Sequence, residues 1–159
     1  TRKVTVLELA TPWTDWFAET DLADRPESDR QPDADPDSDG MPNLIEYAIG
    51  GNPLASDSAI LPELEVTVDG YLRITFVCLK ASFDKSITIK PQISTRLSGA
   101  WSENGLTKEG ALQGVSQAQL PDGKTFASSR YERVRVKAGT AIADAPGRQF
   151  LRVVVDKSE

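Results

Sequence analysis

The sequence of 159 residues contains no histidine, one cysteine and no hydrophobic run long enough to span a bilayer. The absence of histidine removes the commonest general base and the commonest zinc ligand, which disfavours most hydrolytic mechanisms. A single cysteine, Cys78, excludes an internal disulfide. Because it falls in an alternating apolar run, Cys78 is predicted to be a small buried side chain.

The ends of the chain also lack familiar features. The sequence starts with Thr1 and has neither an initiator methionine nor an apolar signal segment. We therefore expect it to be part of a longer protein and to be covalently linked to other domains. The length suits one ordinary domain with one sizeable core, and no insertion into a membrane is predicted.

Acidic residues are concentrated in the first third of the chain. Residues 1–58 contain 4 Lys/Arg and 13 Asp/Glu, a net charge of −9, whereas residues 59–159 contain 14 and 11, a net charge of +3. Phosphate contacts require a strongly basic surface and aromatic stacking platforms, which this composition does not supply. Nucleic acid is therefore not expected as a partner.

The N-terminal region is predicted to form a short helix, an acidic loop and a second short helix. Residues 11–22 place aromatic side chains at helical spacing, so Trp13, Trp16 and Phe17 should form one buried face. Residues 23–40 are rich in Asp, Pro, Ser and Arg, which is typical of a loop. The second helix covers residues 44–49 and ends at a Gly-Gly-Asn-Pro stop.

From about residue 60 the apolar residues alternate, which predicts β-strands. The strands are expected at residues 64–68, 72–78, 87–93, 134–136 and 151–155, with a weakly patterned one around 112–120. The first two form a hairpin around a turn at Asp69-Gly70. We predict an antiparallel β-sandwich of seven to eight strands, in the immunoglobulin or fibronectin III manner. Residues 1–58 and 59–159 would be two segments packed as one unit.

Residues 35–46 match the twelve-residue loop that supplies oxygen ligands to calcium from positions 1, 3, 5, 7, 9 and 12, with glycine at position 6. In this sequence the ligand positions hold Asp35, Asp37, Asp39, Met41, Asn43 and Glu46. Met41 would contribute its backbone carbonyl, and Gly40 occupies position 6. Asp33 continues the alternate spacing and could extend or shift the ligand set. Calcium is therefore the predicted cofactor.

Two other interpretations of the acidic segment are open. A disordered acidic linker would bind no ion, but it would not require Gly40 and Glu46 in register with a helix start. A calcium sensor usually has paired loops and a Met-rich groove, whereas this chain has one such loop and one methionine. Pro42 also lacks the N–H that paired loops use to form a β-bridge. We therefore expect one solitary ion that stabilises the fold.

Residues 35–53, DPDSDGMPNLIEYAIGGNP, together with Trp16-Phe17, resemble a signature found near the C-termini of large secreted proteins of planctomycete and verrucomicrobial bacteria. Residues 93–101 and 150–155 resemble two strands of the same modules. The loop is also similar to the calcium loops of dockerins and thrombospondin type 3 repeats, although the second loop of a dockerin is missing. The resemblance implies an exported, appended module that is secreted or located at the cell surface.

A basic strip is predicted on the penultimate strand, because alternation places Arg133, Arg135 and Lys137 on one face. This strip would bind an acidic or sulfated polysaccharide, and the alternative is an ordinary solvated face. Arg73 and Arg152 could join the strip if their strands are neighbours.

Trp101 and Tyr71 could stack on sugar rings, although a core position is the alternative for Trp101. No pair of carboxylates outside the loop is marked by spacing or by apolar surroundings, so no catalytic residue is assigned. The predicted function is a non-catalytic, calcium-stabilised accessory module that binds polysaccharide. The alternatives are a spacer or attachment module that binds protein or no ligand, and a catalytic fragment acting through calcium and a carboxylate.

Overall fold

A computed structural model describes residues 11–56, 60–110 and 129–158. Within these residues there are two α-helices, α1 (Pro12–Glu19) and α2 (Asn43–Ile49), and six β-strands. The strands are β1 (Glu63–Val66), β2 (Leu72–Leu79), β3 (Ile87–Ser94), β4 (Leu106–Glu109), β5 (Tyr131–Ala138) and β6 (Phe150–Lys157). The prediction of a mainly β fold with antiparallel sheets and few helices is confirmed. The strand predicted around residues 112–120 lies outside the described residues.

The strands form two antiparallel sheets, one with the order β1-β2-β5-β4 and one that pairs β3 with β6. The predicted hairpin of β1 and β2 is present, and Gly70 in its turn has a φ of +81°, which glycine adopts without strain. β1 is shorter than its alternation predicted, because Val68 lies in the turn and is fully exposed. Strand β4 was not predicted, since its sequence Leu-Thr-Lys-Glu has a single apolar residue.

The inner faces of the two sheets pack against each other. Buried side chains of β2 and β5 form this core, and they are Ile74, Phe76, Cys78, Val134 and Val136. Partly buried side chains from β3, β4 and β6 pack on them, and they are Ile89, Leu106, Leu151 and Val153. Burial raises the pKa of the Cys78 thiol to about 12, so the thiol is protonated and unreactive.

A second cluster joins the helices to the ends of β2 and β5. Trp13 and Trp16 of α1 lie on Tyr47 of α2, with ring centroids 5.1 and 5.4 Å apart. The same cluster contains Val77 and Leu79 of β2 and Tyr131 of β5. Burying each large aromatic side chain contributes roughly 2 to 3 kcal/mol, so this cluster is a major source of stability. The helical segment is therefore packed against the ends of these strands.

Buried hydrogen bonds anchor α2 to the strands. The Tyr47 hydroxyl donates to Oδ2 of Asp84 at 2.8 Å, and the Tyr131 hydroxyl donates to the Tyr47 carbonyl at 2.9 Å. Asp84 also accepts from the backbone N–H and the hydroxyl of Ser86 at 2.9 and 2.7 Å. Burial alone would raise the pKa of Asp84, but the bonds from Ser86 and Tyr47 outweigh it and leave the pKa below its usual value.

The first testable consequence concerns acid stability. Because the pKa of Asp84 is lower in the folded than in the unfolded chain, its carboxylate stabilises the fold above about pH 4, and this contribution disappears as the pH falls further. We expect Asp84→Asn to lower the free energy of unfolding by about 1 to 3 kcal/mol at pH 7 and to flatten its decline between pH 5 and 2. Urea denaturation at each pH measures both effects. Asp144→Asn, an exposed acid, is the control, and an unchanged pH dependence in Asp84→Asn would contradict this account.

Candidate metal centre

The acidic loop is folded by its own backbone. The N–H groups of Asn43 and Leu44 donate to the carbonyls of Ala34 and Pro32 at 2.8 and 3.0 Å, which closes the loop onto the start of α2. Ser38 and Gly40 have φ values of +62° and +93°, in the left-handed region. Gly40 therefore makes the sharp turn that position 6 of a calcium loop requires.

The loop brings three carboxylates together. One oxygen from each of Asp35, Asp37 and Asp39 lies within 4.8 Å of the other two, and all three residues are half-buried. Backbone N–H groups hold the three carboxylates in place. The N–H of Asp39 donates to the carboxylates of Asp35 and Asp37, both at 3.2 Å. The N–H of Gly40 donates to Asp35 at 3.0 Å, and that of Met41 donates to Asp39 at 2.8 Å. Oδ2 of Asp37 is buried and accepts no hydrogen bond from the described residues. Burial raises the pKa of Asp37, and the charges of Asp39 and Asp35 raise it further.

Asn43, at position 9, is fully buried at the start of α2. Its Nδ2 donates to the carbonyls of Asp29 and Gln31 at 2.7 and 2.8 Å, which fixes the orientation of the amide. Oδ1 is buried and receives no hydrogen bond within the described part of the chain. A buried carbonyl oxygen left in this state costs roughly 1 to 3 kcal/mol. A cation in the loop would remove that cost, because amide oxygens are ordinary calcium ligands.

Glu46, at position 12, has an exposed fraction of 0% on α2. Its carboxylate is not one of the three that lie within 4.8 Å of one another, so the described loop gathers the aspartates more closely than the glutamate. Gly51 packs directly against it: a Cβ on Gly51 would lie 2.9 Å from Cβ of Glu46 and 2.6 Å from Cδ1 of Ile60. The glycine after the helix therefore makes room for the buried glutamate.

Two further predicted ligands differ in their surroundings. The Met41 side chain is buried in the cluster that joins the helices to β2 and β5, which leaves only its backbone carbonyl for an ion. Asp33 is exposed and lies outside the cluster of three carboxylates. The residues that fit a cation best are thus the three aspartates together with Asn43 and Glu46.

The predicted basic strip is present on β5, but its charges are largely neutralised. Arg73 lies opposite Lys137 and belongs to the same face, which also carries acids from the neighbouring strands. Glu109 of β4 pairs with Arg73 at 2.6 Å and with Arg135 at 3.5 Å. Glu65 of β1 pairs with Arg73 at 3.0 Å, and Asp69 pairs with Lys137 at 3.7 Å. The cations of this face therefore lie on the two central strands, and its acids lie on the two outer strands and in the β1–β2 turn. The spacing of Glu63 and Glu65 in β1 is the sequence pattern that indicates acids on this face.

The other predicted ligand residues are divided between the two sheets. Arg152 lies on β6, which pairs with β3, so it does not join the strip. Its guanidinium lies 4.2 Å from the ring centroid of Trp101, and the ammonium of Lys137 lies 4.7 Å from that of Tyr71. Both aromatic rings are half-buried. Each ring thus has one face covered by a cation, which leaves less of it for stacking on a sugar.

Comparison of the chain with protein-family models, curated proteins and solved structures produced no match. Neither of the helices within the described ranges is long and apolar enough to cross a membrane.

The clustering of three carboxylates makes a prediction for the metal-free protein. Because the pKa of Asp37 is raised in the fold, its charge opposes folding at neutral pH, and this penalty disappears as the pH falls and the carboxyl is protonated. In the presence of a chelator, we expect Asp37→Asn to melt at a higher temperature than the wild type at pH 7, with the difference vanishing towards pH 4. Calorimetry measures this. Asp24→Asn, an exposed acid outside the cluster, is the control, and a lower melting temperature for metal-free Asp37→Asn would contradict the expectation.

Proposed function

We propose that residues 35–46 bind one calcium ion, which fastens the helical segment to the β-sheets of a non-catalytic accessory module in a secreted or cell-surface bacterial multidomain protein. One observation carries the proposal. Three clustered carboxylates occupy positions 1, 3 and 5, and two fully buried oxygen-bearing side chains, Asn43 and Glu46, occupy positions 9 and 12. The packing of the two sheets across one apolar core also supports a sandwich of the immunoglobulin or fibronectin III type.

The donor set favours calcium over other ions. Every proposed ligand is an oxygen, which suits hard cations better than zinc, whose sites are usually built with sulfur and nitrogen ligands. Six positions with a bidentate Glu46 would supply seven oxygens, within the six to eight that calcium takes, whereas magnesium requires a tighter octahedron. Cys78, the one sulfur nucleophile of the chain, lies in the core between the sheets and is not available to a metal in this loop.

The surroundings of α2 favour a structural ion over a sensor. Glu46 would hold the ion, and its neighbour Tyr47 is hydrogen-bonded to Asp84 and Tyr131 on the strand side of the molecule. Met41 is buried in the same cluster. A sensor opens an apolar groove when calcium binds, and here such a movement would break this cluster. The ion would therefore stabilise the packed state.

Calcium should raise the melting temperature by several degrees, because a ligand present at 100 times its Kd stabilises the native state by about 2.7 kcal/mol. We expect Glu46→Gln to lose most of this increment, which differential scanning calorimetry in calcium and in chelator measures. Glu27→Gln, an exposed acid on a 3₁₀ turn, should keep it. A wild-type melting curve unaffected by chelation would refute the proposal.

A second candidate function, binding of acidic or sulfated polysaccharide, is favoured by the position of Arg133. Its Nη2 is buried and has no hydrogen-bond acceptor within the described residues. The side chain lines a cavity of about 690 Å³ together with Glu63, Thr75 and Arg135. A carboxylate or sulfate of a glycan in this cavity would pair with the guanidinium of Arg133. Because Arg135 and Lys137 are engaged by acids, we propose recognition of one anionic group and not of a continuous polyanion.

Polysaccharide binding is tested by affinity electrophoresis against neutral, uronic-acid-containing and sulfated polysaccharides, with and without calcium. We expect retardation by an anionic polymer that Arg133→Ala abolishes and that Arg148→Ala, a change at an exposed cation elsewhere, leaves intact. Absence of binding across the panel would favour the spacer or attachment role. Release of sugar from any polymer by the intact fold would instead overturn the non-catalytic assignment.

A further inference from the structure

An apolar cleft of about 510 Å³ opens between the two sheets, apart from the acidic loop and from the charged face of β5. Strands β2, β5 and β4 form one wall and β3 forms the other. The lining of the floor is apolar, and its main members are Phe76, Cys78, Ile89, Leu106, Val134 and Val136. Small-molecule sites usually have volumes of about 300 to 1,000 Å³ and are lined mostly by apolar side chains with a few polar groups. The cleft has both properties.

Four of the side chains that line the cleft are charged, and one of them, a lysine, has no counter-ion among the described residues. Lys108 lies 4.0 Å from Glu132, and Glu103 lies 4.0 Å from Lys90. Lys85 is exposed, lines the cleft, and makes no ion pair within the described part of the chain. Anions are therefore favoured at this end of the cleft over cations.

We propose that the cleft binds a small amphiphile with an apolar body and one anionic group. The apolar body would lie between the sheets against Phe76 and Val134, and the anion would be at Lys85. Sugar hydroxyls are excluded from the floor, because the apolar side chains offer them no hydrogen bonds and burying them unpaired costs free energy. This site is independent of the proposed calcium ion and extends the proposed function.

Three probes with the same tail separate charge from apolar contact: decanoate, decanol and decyltrimethylammonium. Each is titrated below its micellar concentration, in calcium, against protein loaded with 8-anilinonaphthalene-1-sulfonate, while near-UV circular dichroism confirms the native fold. We expect one dye molecule to bind saturably. Decanoate should displace the dye at the lowest concentration, decanol at a higher one and decyltrimethylammonium at the highest. Dye binding that does not saturate, or displacement only by the cation, would overturn the proposal.

Two pairs of variants locate the site. Lys85→Glu should weaken the binding of decanoate roughly three- to tenfold, because it reverses one exposed charge, and it should leave the affinity for decanol unchanged. The control Arg148→Glu should change neither affinity. Val134→Phe should fill the cleft and abolish binding of all three probes, whereas Val154→Phe on β6 should not. If Val134→Phe fails to fold, the Lys85 pair decides, and equal decanoate affinity in Lys85→Glu and wild type refutes the site. The calcium proposal is judged separately by the melting experiments.

Discussion

A carboxylate can stay charged inside a protein only if a cation or several hydrogen-bond donors surround it, and Glu46 is fully buried on α2. The rest of the N-terminal segment is arranged around this constraint. Asn43, one turn earlier, is also fully buried and presents an amide oxygen without a donor, and three aspartates converge in the loop before it. The proposed calcium ion would add a cation to this group of five side chains. Removing one partner from a buried ionic group costs about 3 to 5 kcal/mol, so the ion would matter greatly for stability.

The residue after Glu46 links α2 to the sheets. Tyr47 follows Glu46 directly, and it contacts both tryptophans of α1 while its hydroxyl reaches Asp84. Tyr131 of β5 donates to the carbonyl of the same tyrosine. The proposed ion, the aromatic cluster and the strands are therefore consecutive layers of one packed region. An apolar cluster of this size can hold the helices against the strands only while α2 keeps its position.

The two faces of the four-stranded sheet have different chemistry because alternation sends successive side chains to opposite sides. One face is apolar and packs on β3 and β6, leaving the cleft near Lys85. The other carries four cations on the central strands and four acids on the outer strands and in the β1–β2 turn, so its net charge is close to zero even though residues 59–159 are basic overall. Arg133 is the cation of this face that lacks an ion pair within the described residues. The net charge of residues 59–159 therefore does not describe the charge of this face.

Local patterns in the sequence determined much of the secondary structure. The alternation in β2, β3, β5 and β6, the Asp69-Gly70 turn, the spacing of Trp13 and Trp16, and the twelve-residue register of the loop each depend on neighbours a few positions apart. The tertiary structure decided what lies far apart along the chain. Glu109 of β4 reaches Arg73 across β5, Arg152 belongs to the other sheet, and the short β4 is a strand because β5 offers it partners. Pairing between distant strands depends on the packing of the whole core, which no short stretch of sequence specifies.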